Sequence, residues 1–276
     1  MRVDLHIHTT ASDGRWTPRE VVEQVRAAGI GFFAVADHDA VDHVHPTAQE
    51  AHRAGLSFLP AVEISARLNR TGVHILAYGI DPDHPGLRQL VEANRRLLDW
   101  VNEETLRRLA RAGYPIDLEE YEAYRHDPSR GGWKALNYLI DRGVCRDVRD
   151  FLDRLYVDPY RPPDPEFPHP AEIVTVVRAA GGVPVLAHPG MSLRKQGVTP
   201  ETLTPFLESG IAGLECYSPY HDPRTTQACL AFCARHDLLV TGGSDCHGGF
   251  AGRQLGVPPV HLEDLRLGPL TDHILR

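Results

Sequence analysis

The first two histidines of the chain, His6 and His8, stand two positions apart in a stretch that alternates as a short β-strand does. Side chains two apart on a strand point to the same side, so both imidazoles leave one face together. Such a pair can bind one divalent ion, and Asp13 follows on a Ser-Asp-Gly turn within reach of a neighbouring ion. An H-x-H pair is weak support by itself, because histidines on strands are more often surface residues.

Further potential metal ligands recur along the chain, mostly where predicted strands end. They are His38, Glu63, His74, His188, Asp245 and His247. Each one alone has an ordinary structural explanation, such as a turn residue or an exposed carboxylate. Independent histidines would not fall at successive strand ends with carboxylates between them. Parallel barrels build their active sites at the carboxyl ends of the strands, so we expect all nine side chains to converge.

Apolar strands alternate with helices over much of the chain, which indicates a parallel sheet or barrel of about seven strands. Thr17 and Glu20 form a capping box at the start of the first helix. The strand rhythm stops after residue 80 and resumes at about residue 169. The interval has helical periodicity and ends in a proline-rich connector. We therefore predict a barrel domain from residues 1–80 and 169–276, with residues 81–168 as a helical insertion that caps the substrate.

The composition limits the class of partner. The chain has 276 residues, of which 42% are apolar and 24% charged, and its net charge is -8. This charge argues against binding long nucleic acid, although not against a small anion held by metal ions. Five cysteines without C-x-x-C spacing suggest neither a disulfide framework nor a zinc ribbon. No signal peptide or long apolar run occurs, so we expect a cytoplasmic protein without a membrane partner.

Taken together, the motifs resemble those of the PHP (polymerase and histidinol phosphatase) superfamily of metal-dependent phosphoesterases. The matching stretches are H-x-H at His6, D-H-D around His38, Glu63, His74, H-P-G at His188 and S-D-x-H at Asp245 and His247. The resemblance covers nearly the whole chain. It implies an α/β fold, a distorted (β/α)7 TIM-like barrel, and three bound divalent ions. The insertion resembles that of the subgroup acting on nucleotides and short oligonucleotides.

The resemblance also implies how the ligands are shared among the ions. The first ion would take His6, His8, Glu63 and Asp245. The second would take Glu63, His74 and His188, so that Glu63 bridges the first pair. The third would take Asp13, His38 and His247. Three carboxylates against three divalent ions leave a net charge of about +3, which suits a phosphate dianion. Mixed nitrogen and oxygen ligands favour Mn²⁺, Fe²⁺ or Zn²⁺ over calcium.

The predicted function is hydrolysis of a small phosphate monoester, by attack of a metal-bound hydroxide on phosphorus. A nucleotide or short RNA is the substrate that the subgroup suggests, and a histidinol-phosphate-type phosphatase is the alternative. An amidohydrolase also uses H-x-H on a barrel, but it typically bridges two metals with a modified lysine, and no lysine precedes Lys134. A non-catalytic metal-binding module is disfavoured because all nine ligand positions are intact.

Other residues are candidates for contacting the substrate outside the metal site. His221 could protonate the leaving group or contact phosphate, and it could equally be an exposed loop histidine. The subgroup usually has Arg-Pro-His at the start of a helix in the insertion, where this chain has Gly132-Trp133-Lys134. Lys134 is a candidate for catalysis and for phosphate binding.

Two arginines are further phosphate candidates. Arg130 lies just upstream of Lys134, and Arg194 follows the strand of His188. A solvated loop is the simpler explanation for Arg194. Trp133 could stack on a base, or it could be a helix-packing aromatic.

Overall fold

Eight strands form one sheet that curls into a nearly closed barrel in the computed structural model, which describes residues 1–275. The strands are β1 (Arg2–Ile7), β2 (Ile30–Val35), β3 (Ser57–Leu68), β4 (Thr71–Tyr78), β5 (Val183–Leu186), β6 (Gly213–Tyr217), β7 (Leu239–Gly242) and β8 (Val260–His261). Their order across the sheet is β7-β6-β5-β4-β3-β2-β1-β8. The segment after β7 closes the barrel, because the Cys246 carbonyl accepts from the His8 N–H at 2.9 Å.

Helices follow most of the strands, as the sequence predicted. They are α1 (Pro18–Ala27), α2 (Val44–Ala54), α3 (Pro85–Arg111), α4 (Leu118–Ala123), α5 (Lys134–Asp141), α6 (Val148–Asp150), α7 (Pro170–Ala179), α8 (Pro189–Ser192), α9 (Pro200–Glu208) and α10 (Pro223–His236). The predicted capping box on Thr17 and Glu20 is present at the start of α1. Among residues 1–275, no helix combines the length and the apolar character that crossing a bilayer requires.

The predicted fold class, a distorted α/β barrel, is confirmed, but the sheet is not wholly parallel. β3 and β4 pair antiparallel from Ala61 opposite Tyr78 to Leu68 opposite Thr71. A tight turn joins them, with Asn69 at φ +55°, and a parallel pairing would have needed a long crossover. β3 therefore runs on to Leu68, and the predicted strand end at Glu63 is wrong. β8, which the sequence did not predict, pairs antiparallel with β1.

Two apolar clusters stabilise the barrel. One consists of strand residues such as Leu5, Phe32 and Leu59, together with Leu267 and Leu270 of the C-terminal segment, and it fills the barrel. The other joins the outer face of the sheet to α1, α2, α7, α9 and α10. The barrel is thus rigid beneath the ends of its strands, which is the condition for holding side chains in a fixed constellation.

Residues 81–168 contain α3 to α6, whose inner faces form a third apolar cluster. Its large members include Leu106, Tyr138 and Phe151. The long helix α3 also contacts β3 and α7, so it reaches back to the barrel. This segment lies beside the carboxyl ends of β1 and β2, since its residues line one cleft with Asp13 and His38. The division of the chain into two domains stays a prediction.

Candidate metal centre and substrate cleft

The barrel brings all nine predicted side chains together at one place. Glu63 is the centre of this group: five imidazole nitrogens lie within 3.3 Å of its carboxylate oxygens. They belong to His6, His8, His38, His74 and His188. Asp245 Oδ1 lies 2.9 Å from His8 Nε2, and His247 Nε2 lies 3.2 Å from Asp13 Oδ1. We call these nine residues the metal cluster.

The side chains form three sets of potential metal ligands. Within each set, the ligand atoms all lie within 4.8 Å of one another. The first is His6, His8, Glu63 and Asp245, the second is His38, Glu63 and His74, and the third is His8, Asp13, His38 and His247. The first set is the one the resemblance implied. His188 reaches the second set through its Nε2 atom, 2.8 Å from Glu63 Oε1.

Several buried atoms in the cluster have no hydrogen-bond partner among the described residues. They are both ring nitrogens of His8, Nδ1 of His188 and Oδ1 of Asp245. His8 Nε2 and Asp245 Oδ1 lie 2.9 Å apart but are not aligned as a hydrogen bond. Buried polar atoms are normally paired, and imidazole and carboxylate are the ligands that divalent transition metals take. The residues therefore fit divalent ions, and the protein is assigned as a divalent-metal-binding protein.

The backbone is strained at the cluster. His188, Asp39 and Asp245 have φ angles of +26°, +46° and +49°, in a region that non-glycine residues rarely adopt. Each such conformation costs on the order of 1–3 kcal/mol and persists where the surrounding structure enforces it. The strain lies at or beside three ligand positions, which is where function would maintain it.

Two carboxylates that hold the cluster from outside, Glu215 and Asp4, were not among the predicted site residues. Glu215 on β6 is fully buried, with Oε1 2.9 Å from His6 Nδ1 and Oε2 accepting from the His188 N–H at 2.8 Å. A carboxylate at this place keeps the proton of His6 on Nδ1, which leaves Nε2 free to bind an ion. A charged residue within an otherwise apolar strand was the available signal.

Asp4 holds the loop after β7 in place through hydrogen bonds to its backbone. It accepts from the N–H groups of Ser244 and Gly256 at 2.9 Å each. Its alternation with His6 and His8 was the signal in the sequence.

Asp245 is held on one side by two donors that no sequence pattern indicated. The Tyr220 hydroxyl donates to Asp245 Oδ2 at 2.7 Å, and the Arg253 guanidinium forms an ion pair with the same oxygen. Oδ1 is thereby left facing His6 and His8. Asp245 is thus presented to the cluster as a ligand through one oxygen.

Asp39 connects the cluster to the insertion. It accepts from the Ser65 hydroxyl at 2.6 Å and from the Asn94 amide at 2.8 Å, and Asn94 lies on α3. Burial raises the pKa of Asp39 to about 6, against these hydrogen bonds. The long helix is therefore tied to the strand β3 that carries Glu63.

The ionisation of the cluster follows from burial and mutual contact. Burial opposes charge on His8, but the carboxylates of Asp245 and Glu63 raise its pKa to about 9. Burial likewise opposes ionisation of Glu63, but His38 and the other imidazoles hold its pKa well below its usual range. Burial lowers the pKa of His38 to about 3. Without metal, protons on some histidines balance the carboxylates, and those protons leave when an ion binds.

The predicted substrate residues lie outside the cluster. Both ring nitrogens of His221 contact backbone: Nδ1 lies 2.9 Å from the Cys216 carbonyl, and Nε2 accepts from the Gly190 N–H at 3.0 Å. Burial lowers the pKa of His221. This geometry positions the loop that follows His188, and the role of His221 as an acid stays a prediction.

The three cations predicted to contact phosphate have these surroundings. Arg130 forms two hydrogen bonds of 2.8 Å with Asp141. Lys134 Nζ donates to the Glu122 carbonyl at 3.2 Å. Arg194 is exposed on the loop after α8. Their roles in binding stay predictions.

A cleft of about 650 Å³ opens from the cluster toward the insertion. Its inner end is lined by Asp13, His38 and His74. Its outer end is lined by residues of α3, by Trp133 and by Tyr156. The cluster thus borders a cavity large enough for a drug-sized ligand.

Comparison with known proteins agrees with this description. The family model for the PHP domain matches residues 4–141. The 3',5'-nucleoside bisphosphate phosphatase of Chromobacterium violaceum is 29% identical, over 95% of this chain and 92% of the relative.

Two solved structures share the fold. A protein of Bifidobacterium adolescentis, assigned as a metal-dependent phosphoesterase, is 31% identical with a TM-score of 0.81, over 92% of this chain and 90% of that one. A protein of Chromobacterium violaceum named as an amidohydrolase, solved with bound sulfate and no metal, is 25% identical with a TM-score of 0.81, over 100% of this chain and 98% of that one.

The family model matches half of the chain, and the motifs of the metal cluster extend the likeness to His247. The Bifidobacterium structure adds a match across most of both chains. The protein belongs to the PHP domain family.

Proposed function

We propose that the protein is a metal-dependent phosphoesterase that hydrolyses the phosphate ester of a nucleotide. The observation that carries this proposal is the largely buried metal cluster that borders a cleft. A cluster of this composition binds cations, and cations at the end of a cleft bind the anionic end of a ligand. The relative from Chromobacterium violaceum is named for a nucleotide substrate, which supports the choice of ester.

The proposed cofactor is three divalent ions, Mn²⁺, Fe²⁺ or Zn²⁺, held by the metal cluster. Its six imidazoles and three carboxylates supply enough ligands for three ions when Glu63 is shared. When bound, divalent ions acidify water and neutralise the oxygens of a phosphate group. Calcium prefers oxygen ligands throughout, and a histidine-rich set does not suit it.

The residues around the cluster orient its ligands. Glu215 fixes the tautomer of His6, while Tyr220 and Arg253 fix the orientation of Asp245. Asp39 and Asn94 tie α3 to β3, so the residues of α3 that line the cleft are held in place. Each of these contacts is made before substrate binds. The site is therefore preorganised, which is the main source of rate acceleration in phosphoryl transfer.

An amidohydrolase is the second function to be weighed, because one structural neighbour has that name. The chain contains only two lysines, Lys134 and Lys195, and neither belongs to the metal cluster. Glu63 occupies the centre where a modified lysine would bridge two ions. A phosphate ester is therefore the better supported substrate.

The test is phosphate release by metal-depleted protein to which Mn²⁺ is returned, with p-nitrophenyl phosphate and adenosine 5'-monophosphate as substrates. We expect turnover with Mn²⁺ and none after chelation. The double variant His6→Ala with His8→Ala should lose both metal and activity, while a surface variant such as Arg107→Met should keep both. Wild-type protein that binds Mn²⁺ and releases no phosphate from either ester would contradict the proposal.

A further inference from the structure

The cleft is much larger than a phosphate group requires. Its volume is about 650 Å³, and its inner end alone touches the metal cluster. A phosphate at that end would leave most of the cavity for the group from which phosphate is released. The outer half of the cleft therefore determines which leaving group fits.

The wall of the outer half is apolar and aromatic. Trp133 packs edge to face on Phe151, with ring centroids 5.6 Å apart, and Phe151 stacks on Tyr156 at the same distance. Leu98 and Leu152 continue the wall. Aromatic walls of this kind bind flat rings, since every base has a π-face on which to stack.

The charge of the outer half is not positive. Among the described residues that line the outer half of the cleft, Arg95 is the only arginine or lysine, and it forms an ion pair with Asp42 at 3.0 Å. Asp99 lines the cleft one turn further along α3. Burial, with Glu103 nearby, raises the pKa of Asp99, so an additional negative charge there is already disfavoured.

The cations that could bind a second phosphate are engaged elsewhere. Arg130 pairs with Asp141 and lies beside another, smaller cavity. Lys134 lies over the ring of Tyr121, with Nζ 4.3 Å from the centroid. Neither belongs to the residues that line the cleft.

We propose that the outer half of the cleft binds an uncharged aromatic leaving group, the nucleoside of a nucleotide with one phosphate, and that Asp99 disfavours a second phosphate. This specificity rests on the proposed phosphoesterase function. It differs from the activity for which the bisphosphate phosphatase relative is named. Trp133 and Asp99 are then residues that determine specificity: the first binds the base, and the second repels an additional anion.

Three substrates test the proposal with Mn²⁺-loaded protein: adenosine 5'-monophosphate, adenosine 3',5'-bisphosphate and ribose 5-phosphate. We expect kcat/KM for the monophosphate to exceed that for the bisphosphate by about tenfold, because the outer half of the cleft offers the second phosphate no unpaired arginine or lysine. Asp99→Asn should narrow this ratio severalfold by raising kcat/KM for the bisphosphate. Trp133→Leu should raise KM for the monophosphate and leave ribose 5-phosphate, which has no base, nearly unchanged.

Trp100→Leu is the matched control, because Trp100 follows Asp99 on α3 and lies outside the cleft lining. It should alter none of the three KM values, and circular dichroism checks that each variant is folded. A preference for the bisphosphate, or equal effects of Trp133→Leu on the monophosphate and on ribose 5-phosphate, would overturn the specificity. If the protein hydrolyses none of the three substrates and does not hydrolyse p-nitrophenyl phosphate either, the proposed function would instead be contradicted.

Discussion

Replacing Glu215 by glutamine tests whether the cluster depends on residues that bind no metal themselves. The two carboxylate oxygens accept from His6 Nδ1 and from the His188 N–H. Glutamine has the same shape but only one acceptor oxygen, and its NH₂ group needs an acceptor of its own. If that group faces His6, the proton of the imidazole moves to Nε2, which then cannot bind an ion.

The size of the effect follows from burial. Glu215 is 0% exposed, so water cannot replace the lost acceptor. Loss of a residue that orients a histidine ligand typically weakens metal affinity by about 10–100-fold. This corresponds to about 1.4–2.7 kcal/mol of binding free energy. We expect the loss of metal affinity in Glu215→Gln to fall in this range and to be largest for the ion that His6 binds.

The assay is calorimetric titration of metal-depleted protein with Mn²⁺, in the presence of a competing chelator. Glu208→Gln is the control, because Glu208 is exposed at the end of α9. The control should bind Mn²⁺ as the wild type does. A folded Glu215→Gln variant with wild-type affinity for Mn²⁺ would show that Glu215 on β6 does not orient His6.

Three further predictions concern the metal and the residues around it. Chelation should lower the melting temperature by at least about 5–10 °C, the shift expected from a single ion at about 100 times its Kd, and re-addition of Mn²⁺ should restore it; an unchanged melting temperature would count against a bound metal. Tyr220→Phe should weaken Mn²⁺ binding severalfold, less than Glu215→Gln, because Arg253 still contacts Asp245 Oδ2; a loss as large as that of Glu215→Gln would show that Arg253 does not share this task. Asn94→Ala should lower the free energy of unfolding by about 2 kcal/mol in urea titrations, since it removes two buried hydrogen bonds; a change no larger than that of exposed Gln24→Ala would contradict the tie between α3 and β3.

Much of the fold and the convergence of the cluster could be predicted because their signals are local. Alternation places His6 and His8 on one face of β1, and residue type marks Asp245 and His247 after β7. The capping box at Thr17 is likewise written in four consecutive residues. Strand ends meet at one edge of a barrel, so local signals sufficed to bring distant residues together.

What could not be predicted depends on pairing between distant segments. The position of Glu63 in the middle of β3 follows from the antiparallel partner β4, and a single strand does not reveal its partner. Arg253 contacts Asp245 only because the loop after β7 folds back. The partners of Arg130 and Lys134 are set by the packing of the insertion, so their charge alone could not predict what they contact.

The metal cluster is expected to bind divalent ions, with Glu63 shared between two of them. The most direct measurement is anomalous diffraction from crystals of the Mn²⁺-loaded protein, combined with the metal content of the same sample. We expect three anomalous peaks among the nine side chains, two of them in contact with Glu63. Peaks elsewhere on the protein, or an absence of bound metal at saturating Mn²⁺, would contradict it.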